Sequence, residues 1–369
     1  MKFLVEKESM YNGVKIVERA TVVKGLQPVL ANILIEAVAP NKLVLSATDF
    51  DLSIITEIDA QVEEEGKITL PAKKLMDIIS RVSDSLITFE LKDNTMTITN
   101  EKTKFEIIGI SASEFPKIEE VSSTEEEIEI DLDPFTKAIK EAAFAAAGYE
   151  TNNLLSGVVC DINKNILEIA STDGNRLARA RKIISNRDDK TIQLIVPSKV
   201  LQEFLKMSYL MDADSVKIIV EKTRIMITSG RTKIISRLME GQYPKYNQLI
   251  PTTFPKEAKI NVSMIIKSLE RVSTMINEKT CIVKFEFTDG KLSLMGDAPD
   301  AGASQDEIDI VYHGEDLLIA FNYKYLLDCF KNIESDELII GMNTSLSATV
   351  LKPDNEEDFV YLVMPVQIR

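Results

Sequence analysis

The sequence predicts an α+β fold in which one module is written three times, each copy setting two helices against antiparallel sheet. Three landmarks predict it. A strand running into a basic amphipathic segment occurs at LPAKKLMDII from Leu70, at VPSKVLQEFL from Val196 and at FNYKYLLDCF from Phe321. A strand-turn-strand ending in a small polar cluster occurs at KLVLSATDFD up to Asp51, ILEIASTDGN up to Asn175 and KLSLMGDAPD up to Asp300. An apolar-Pro pair then closes each copy, at Phe115-Pro116, Tyr243-Pro244 and Met364-Pro365. The register recurs about every 120 residues, far beyond solenoid periods, so whole domains repeat.

Each copy opens with a strand and an amphipathic helix, in FLVEKESMYNGVKIVERA, IEIDLDPFTKAIKEAAFAAA and INVSMIIKSLERVSTMI. Apolar residues at helical spacing place helices over 7–19, 72–81, 134–141, 199–206, 264–271 and 324–331. Asp133-Pro134 reads as an N-cap followed by an N1 proline. The apolar/polar alternation between helices marks half-buried antiparallel strands, and two helices on such sheets make an α+β layer. The acidic, serine-rich stretch over 121–127 and the segment 250–255 set the expected domains at 1–123, 124–250 and 251–369.

Length agrees, since 369 residues exceed the roughly 250 to 300 at which a single core stops growing. Hydrophobic residues at 45% and charged residues at 27% describe a folded globular chain. The opening MKFLVEKESMYNG has no signal-peptide pattern and no later stretch approaches about 18 apolar residues, so a cytoplasmic protein without membrane contact is expected. Cys160, Cys281 and Cys329 are odd in number, far apart and outside any CxxC pair. They read as buried thiols rather than a disulfide framework or zinc site, and neither metal nor cofactor is expected.

A net charge of −15 argues against nucleic acid until its distribution is considered. The six helical windows hold fourteen Lys or Arg against seven Asp or Glu, leaving 29 bases and 51 acids elsewhere. Equivalent helices facing one way would meet phosphates without reading sequence, while an acidic exterior repels DNA.

A hydrolase or transferase using Asp173-Gly174-Asn175-Arg176 is the first rival reading. Against it, His313 is the single histidine, no GxSxG or GxGxxG occurs, and Asp49, Asp51 and Asp173 sit in repeated turns that Asp forms unaided. No catalytic residue is therefore expected. A scaffold that binds peptides without DNA is the second rival, and the basic helices discriminate against it.

The opening MKF, STDGNRLA from Ser171 to Ala178, Gln242-Tyr243-Pro244-Lys245-Tyr246 and the closing Tyr361-Leu362-Val363-Met364-Pro365 resemble the bacterial DNA polymerase III beta subunit family, the sliding clamps. The resemblance covers essentially the whole chain. It implies three clamp domains per protomer and a head-to-tail homodimer ring that encircles double-stranded DNA. Such a ring confers processivity as a non-catalytic accessory subunit of a DNA-directed DNA polymerase holoenzyme. The implied partners are a second copy, duplex DNA, the replicative polymerase's alpha-type subunit, the clamp loader, and repair and translesion polymerases through clamp-binding peptides.

By position, the resemblance implies a peptide groove at Leu155, Thr172, Gly174, Arg176, Leu177, Pro244, Leu249, Leu362, Val363, Met364, Pro365 and Val366. Its rim departs from the family pattern: Asn175 stands where His is common, and Gln248 and Gln367 where Arg is. Implied DNA contacts are Lys24, Gln27, Tyr149, Asn152, Asn153 and Lys199, joined by Lys73 and Lys74 of the basic helices. Asn152 and Asn153 replace aromatic residues, which weakens base stacking there. The implied dimer interface joins Phe105, Ile107, Ile108 and Lys74 to Thr274 and Met275.

Overall fold

The computed structural model describes residues 1–22, 27–121, 126–148, 153–186, 190–277, 279–298, 302–354 and 358–367. The first module runs β1 (Lys2–Glu6), α1 (Lys7–Val17), β2 (Asn32–Val38), β3 (Lys42–Thr48), β4 (Leu52–Asp59), β5 (Gln61–Glu64), β6 (Gly66–Pro71), α2 (Ala72–Ile79), β7 (Leu86–Lys92), β8 (Thr95–Asn100), β9 (Thr103–Ile108) and β10 (Ile110–Ser111). The second runs β11 (Glu126–Asp131), α3 (Leu132–Ala142), β12 (Gly157–Asn163), β13 (Ile166–Thr172), β14 (Arg176–Ile183), β15 (Thr191–Pro197), α4 (Ser198–Ser208), β16 (Ser215–Glu221), β17 (Arg224–Ser229) and β18 (Thr232–Arg237). The third runs β19 (Lys256–Asn261), α5 (Val262–Ser273), β20 (Ile282–Thr288), β21 (Lys291–Ala298), β22 (Gly302–Asp309), β23 (Val311–His313), β24 (Leu317–Asn322), α6 (Tyr323–Asn332), β25 (Glu337–Met342), β26 (Thr349–Pro353) and β27 (Phe359–Val363).

All six expected helices are present, with one correction. The helix expected to start after an Asp133 cap begins at Leu132, so Asp133 and Pro134 lie inside its first turn. The preceding strand feeds straight into it, and the Leu132 N–H is satisfied by the Asp214 carbonyl at 2.9 Å. Side-chain caps do hold α5 and α6, where Asn261 accepts from the Met264 N–H at 3.1 Å and Asn322 from the Lys324 N–H at 3.0 Å.

The chain gathers into two compact units, Met1–Asp133 with Ser185–Asp188 and Glu203–Leu238, and Pro134–Ile184 with Asp189–Gln202 and Met239–Arg369. The first contains a five-stranded sheet ordered β5-β1-β7-β8-β9 and a nine-stranded sheet ordered β10-β6-β2-β3-β4-β18-β17-β16-β11. The second contains a nine-stranded sheet ordered β15-β12-β13-β14-β27-β26-β25-β19-β23 and a four-stranded sheet ordered β22-β21-β20-β24.

In the first unit, β3 turns Leu43, Leu45 and Ala47 inward, β8 turns Met96 and Ile98 inward, and Phe3 stacks on Phe89 at 4.7 Å. Each fully buried side chain of this size contributes about 1.5–3 kcal/mol. Helix α1 buries Met10, Val14 and Val17. It lies so close to the sheet that a Cβ on Gly13 would sit 2.8 Å from Leu45 Cδ1, which is why glycine stands there. In the second unit, Phe285 packs edge-on to Phe321 at 5.4 Å and stacks with Phe287 at 6.1 Å.

Two strand pairings join successive modules. Strand β4 pairs antiparallel with β18, from Leu52 opposite Ser236 to Thr56 opposite Thr232, and the hydroxyls of Thr56 and Thr232 lie 2.8 Å apart. Strand β14 pairs antiparallel with β27, from Arg176 opposite Val363 to Ala180 opposite Phe359. The corresponding strands left over are β22, the third after its module's first helix, and β9. Each is the edge of its sheet.

Candidate functional site

The most elaborate side-chain chemistry lies at the β14–β27 junction. The turn before β14 is built by two short side chains. Asp173 Oδ1 accepts from the Asn175 and Arg176 N–H groups at 2.9 and 3.0 Å, and Thr172 Oγ1 accepts from the Gly174 N–H at 3.1 Å. Gly174 takes the left-handed conformation this turn needs, with φ +92°.

Arg176 leaves the turn and goes inward. Its Nε donates to Asp173 Oδ2 at 3.0 Å, Nη1 to Asp328 Oδ2 at 2.6 Å and Nη2 to the Phe144 carbonyl at 3.2 Å, and its guanidinium lies 4.5 Å from the Tyr325 ring centre. Burial alone would lower its pKa, but Tyr361, Asp328 and Asp173 outweigh that and raise it. Arg176 is thus a brace between module two and helix α6.

Beside the brace lies an apolar cluster of Val159, Ala170, Leu177, Tyr246, Val350, Val360 and Leu362, with Tyr243, Ile250 and Phe254 packed against it. The Tyr243 hydroxyl donates to the Gly157 carbonyl at 3.2 Å and accepts from the Thr172 N–H at 3.1 Å. Burial pushes its pKa up to about 12. Tyr246 donates to Glu168 Oε1 at 2.5 Å, and Arg181 pairs with the other oxygen. A groove of about 710 Å³ opens along Val159, Ile195, Tyr243, Pro244, Tyr246 and Gln248.

Of the expected groove residues, Pro244 and Gln248 line this opening and the others do not. Leu249 is 61% exposed and Met364 40% exposed; Gly174, Asn175, Pro244 and Gln248 are also exposed, while Leu155, Thr172, Pro365 and Val366 are half-buried. Arg176, Leu177, Leu362 and Val363 are buried, so they shape the site from beneath. The Met364 N–H is held by the Asn175 carbonyl at 2.8 Å and the Val366 N–H by the Ala320 carbonyl at 2.8 Å, which fixes the last described segment against the turn. Sequence reasoning missed Tyr325 and Asp328. The FNYKYLLDCF repeat carries them, but nothing local pairs them with Arg176.

Of the expected DNA contacts, Lys24, Tyr149 and Asn152 lie outside the described residues. Gln27, Lys73 and Lys74 are exposed, Lys199 is half-buried, and Asn153 is exposed with its side chain accepting from the Leu155 N–H at 2.9 Å. The basic windows are partly neutralised within the chain. Lys7, Arg19, Arg81, Lys137, Lys140, Lys206, Arg271 and Lys331 each pair with a carboxylate. Lys73, Lys74 and Lys267 carry no ion pair among the described residues.

Of the expected interface, Phe105 is half-buried, Ile107 points into its own unit and Ile108 is 77% exposed, all on edge strand β9. Thr274 is exposed and Met275 half-buried just past α5. All three cysteines are buried. His313 is exposed on β23, and no metal-holding cluster occurs among the described residues. No described helix is long and apolar enough to cross a membrane.

Comparison with known proteins matches three models of the DNA polymerase III beta subunit in succession: the N-terminal domain at residues 1–119, the central domain at 129–245 and the C-terminal domain at 247–367. The beta sliding clamp of Synechococcus elongatus is 32% identical over 375 residues, covering all of both chains. Among solved structures, the DNA polymerase III beta subunit of Thermotoga maritima aligns with a TM-score of 0.90 at 26% identity over the whole of both chains. A putative beta subunit from Eubacterium rectale aligns with a TM-score of 0.86 at 30% identity, again over the whole of both.

Proposed function

Since the chain belongs to the DNA polymerase III beta subunit family, the non-catalytic beta sliding clamps that bind DNA and the polymerase, we propose that two copies close head to tail into a ring around duplex DNA. A ring holds a polymerase by topology, so release becomes an intramolecular problem at high effective concentration and the clamp itself breaks no bond.

The observation that carries this reading is the strand series β4–β18 and β14–β27, which leaves β22 and β9 as unpaired edges. In both internal junctions the first residue of one strand faces the fifth of the other: Leu52 with Ser236, Arg176 with Val363. The same rule across two copies sets Gly302 opposite Ile107, Ala303 opposite Glu106 and Ser304 opposite Phe105. An open edge carrying Ile108 is a liability that such pairing removes. A head-to-tail contact of this kind closes when the rotation suits.

The domains are read as 1–123, 124–250 and 251–369, the spans of the three repeats. Lys73, Lys74 and Lys199, with Gln27 and Asn153, are read as facing DNA phosphates. The surface of Leu155, Pro244, Leu249 and Met364 is read as taking peptides from the replicative polymerase, the clamp loader and repair or translesion polymerases, in the cytoplasm where the chromosome is copied. Apolar walls with a flexible Met fit an adaptable peptide pocket.

Light scattering tests ring closure, with a mass of twice 41.3 kDa expected. Glu106→Cys with Ala303→Cys should oxidise to a covalent dimer that stays on circular DNA and leaves it after linearisation. A 41.3 kDa species that never remains on circles would sink the proposal.

A further inference from the structure

We propose that the β4–β18 junction is a second docking groove, suited to a short peptide that carries carboxylates beside an apolar side chain. This goes beyond the reading above, which assigns only the β14–β27 junction to partners.

The turn before β4 repeats three side-chain-to-backbone bonds of the turn before β14. Thr48 Oγ1 accepts from the Phe50 N–H at 3.1 Å, and Asp49 Oδ1 accepts from the Asp51 and Leu52 N–H groups at 3.0 and 2.7 Å. Its third residue is also left-handed, but that residue is Phe50, with φ +76° in place of glycine. A bulky side chain is rarely found in that conformation. The ring is not placed there to fill a core, because Phe50 is 54% exposed. An exposed aromatic held in a disfavoured turn points to recognition rather than folding.

Phe50 borders a groove of about 200 Å³ whose apolar floor is Ile118 and Ile235. Lys117, Arg224 and Arg237 supply its charge. Arg224 and Arg237 stand directly opposite each other in the β17–β18 pairing, an arrangement unfavourable for like charges. Arg224 is offset by Glu221 at 2.9 Å and Glu119 at 3.3 Å. Arg237 and Lys117 have no ion pair among the described residues. An incoming carboxylate would relieve that surplus.

The volume admits one apolar side chain with a carboxylate next to it. Lys117 and Arg237 can meet carboxylates at two points above the apolar floor of Ile118 and Ile235, whereas Asp51 and Glu119 interrupt the continuous basic track a phosphate backbone needs, which favours peptide over single-stranded nucleic acid.

The chain contains no tryptophan, so Phe50→Trp provides a single reporter in this groove. The probe is an acetylated, amidated pentapeptide of glutamate, glutamate, leucine, phenylalanine and glutamate, titrated into the full chain. A saturable emission change is expected, weakened at least tenfold by Lys117→Glu with Arg237→Glu and unaffected by Met364→Ala. Calorimetry on the chain that keeps Phe50, with and without the two charge reversals, covers any disturbance by the tryptophan. Absence of binding in both formats, indifference to the charge reversals, loss through Met364→Ala, or displacement of the peptide by oligothymidylate would each overturn the proposal. Solution mass measured in parallel separates it from ring closure, because a dimer that takes no peptide here refutes the groove alone.

Discussion

Arg176 of β14 and Asp328 of α6 lie 2.6 Å apart across a module boundary, and the same guanidinium also holds Asp173 and the Phe144 carbonyl. Removing the buried partner of such a network leaves its acceptors unpaired. Arg176→Ala is expected to cost about 3 kcal/mol in denaturant unfolding. Arg176→Lys should recover little, because an ammonium cannot span three acceptors as a planar fork does. A variant as stable as the parent would show that the brace is idle.

The peptide surface should answer to its exposed residues. Met364→Ala combined with Leu249→Ala is expected to weaken a polymerase-derived peptide by tenfold or more while leaving the unfolding free energy within about 0.5 kcal/mol, as surface changes do. Leu177→Ala, by contrast, opens a cavity in the cluster beneath and should cost about 2–5 kcal/mol. Isothermal calorimetry beside thermal melts tells the two effects apart. Equal peptide affinity in the double variant would remove those residues from the site.

Charge reversal at Lys73, Lys199 and Lys324 together is expected to weaken DNA retention and flatten its salt dependence, because fewer counterions are released. Lys137→Glu should matter less than Lys73→Glu, since Lys137 already pairs with Glu141 at 3.9 Å and Lys73 has no ion pair among the described residues. The comparison is the slope of log affinity against log salt, and equal slopes in all variants would exclude these helices from the contact.

Glu168 gives the fold a pH dependence. Burial pushes its pKa up, but the Tyr246 hydroxyl and Arg181 override that and hold it below the ordinary carboxylate value. A lowered folded-state pKa stabilises fully above the unfolded value of about 4.3 and is lost as pH falls through the folded one. Glu168→Gln should therefore be less stable by roughly 1.5–3 kcal/mol near neutrality. That gap should shrink as pH drops toward 3, and a gap constant with pH would show that the charge plays no part.

Much of this architecture was legible in the sequence, because helical spacing is a local signal and the three copies reinforce one another. The windows over 72–81 and 324–331 fall on α2 and α6 almost to the residue. What escaped was long-range. Nothing near Leu52 announces Ser236, and nothing near Arg176 announces Asp328, since both partners are set by sheet order and by the packing of α6. Counting bases overstated the positive surface, because carboxylates such as Asp84 and Asp306 come from neighbouring strands and loops to meet Lys7 and Arg271. The resemblance places Leu177 and Val363 in the groove wall, yet both are buried, on opposite faces of the β14–β27 ladder, because both faces of that sheet are covered.

The joints between modules are made mainly of backbone N–H and C=O groups, and those groups are the same whatever side chain they carry. Apart from anchors such as Arg176 and Leu177, such a seam places few demands on residue identity, so the exposed positions around it are free to drift while the seam holds. Relatives that have replaced most of their residues can keep one architecture on these terms. The same latitude would let a turn residue pass between glycine and phenylalanine, giving one ancestral joint two different vocabularies for its visitors.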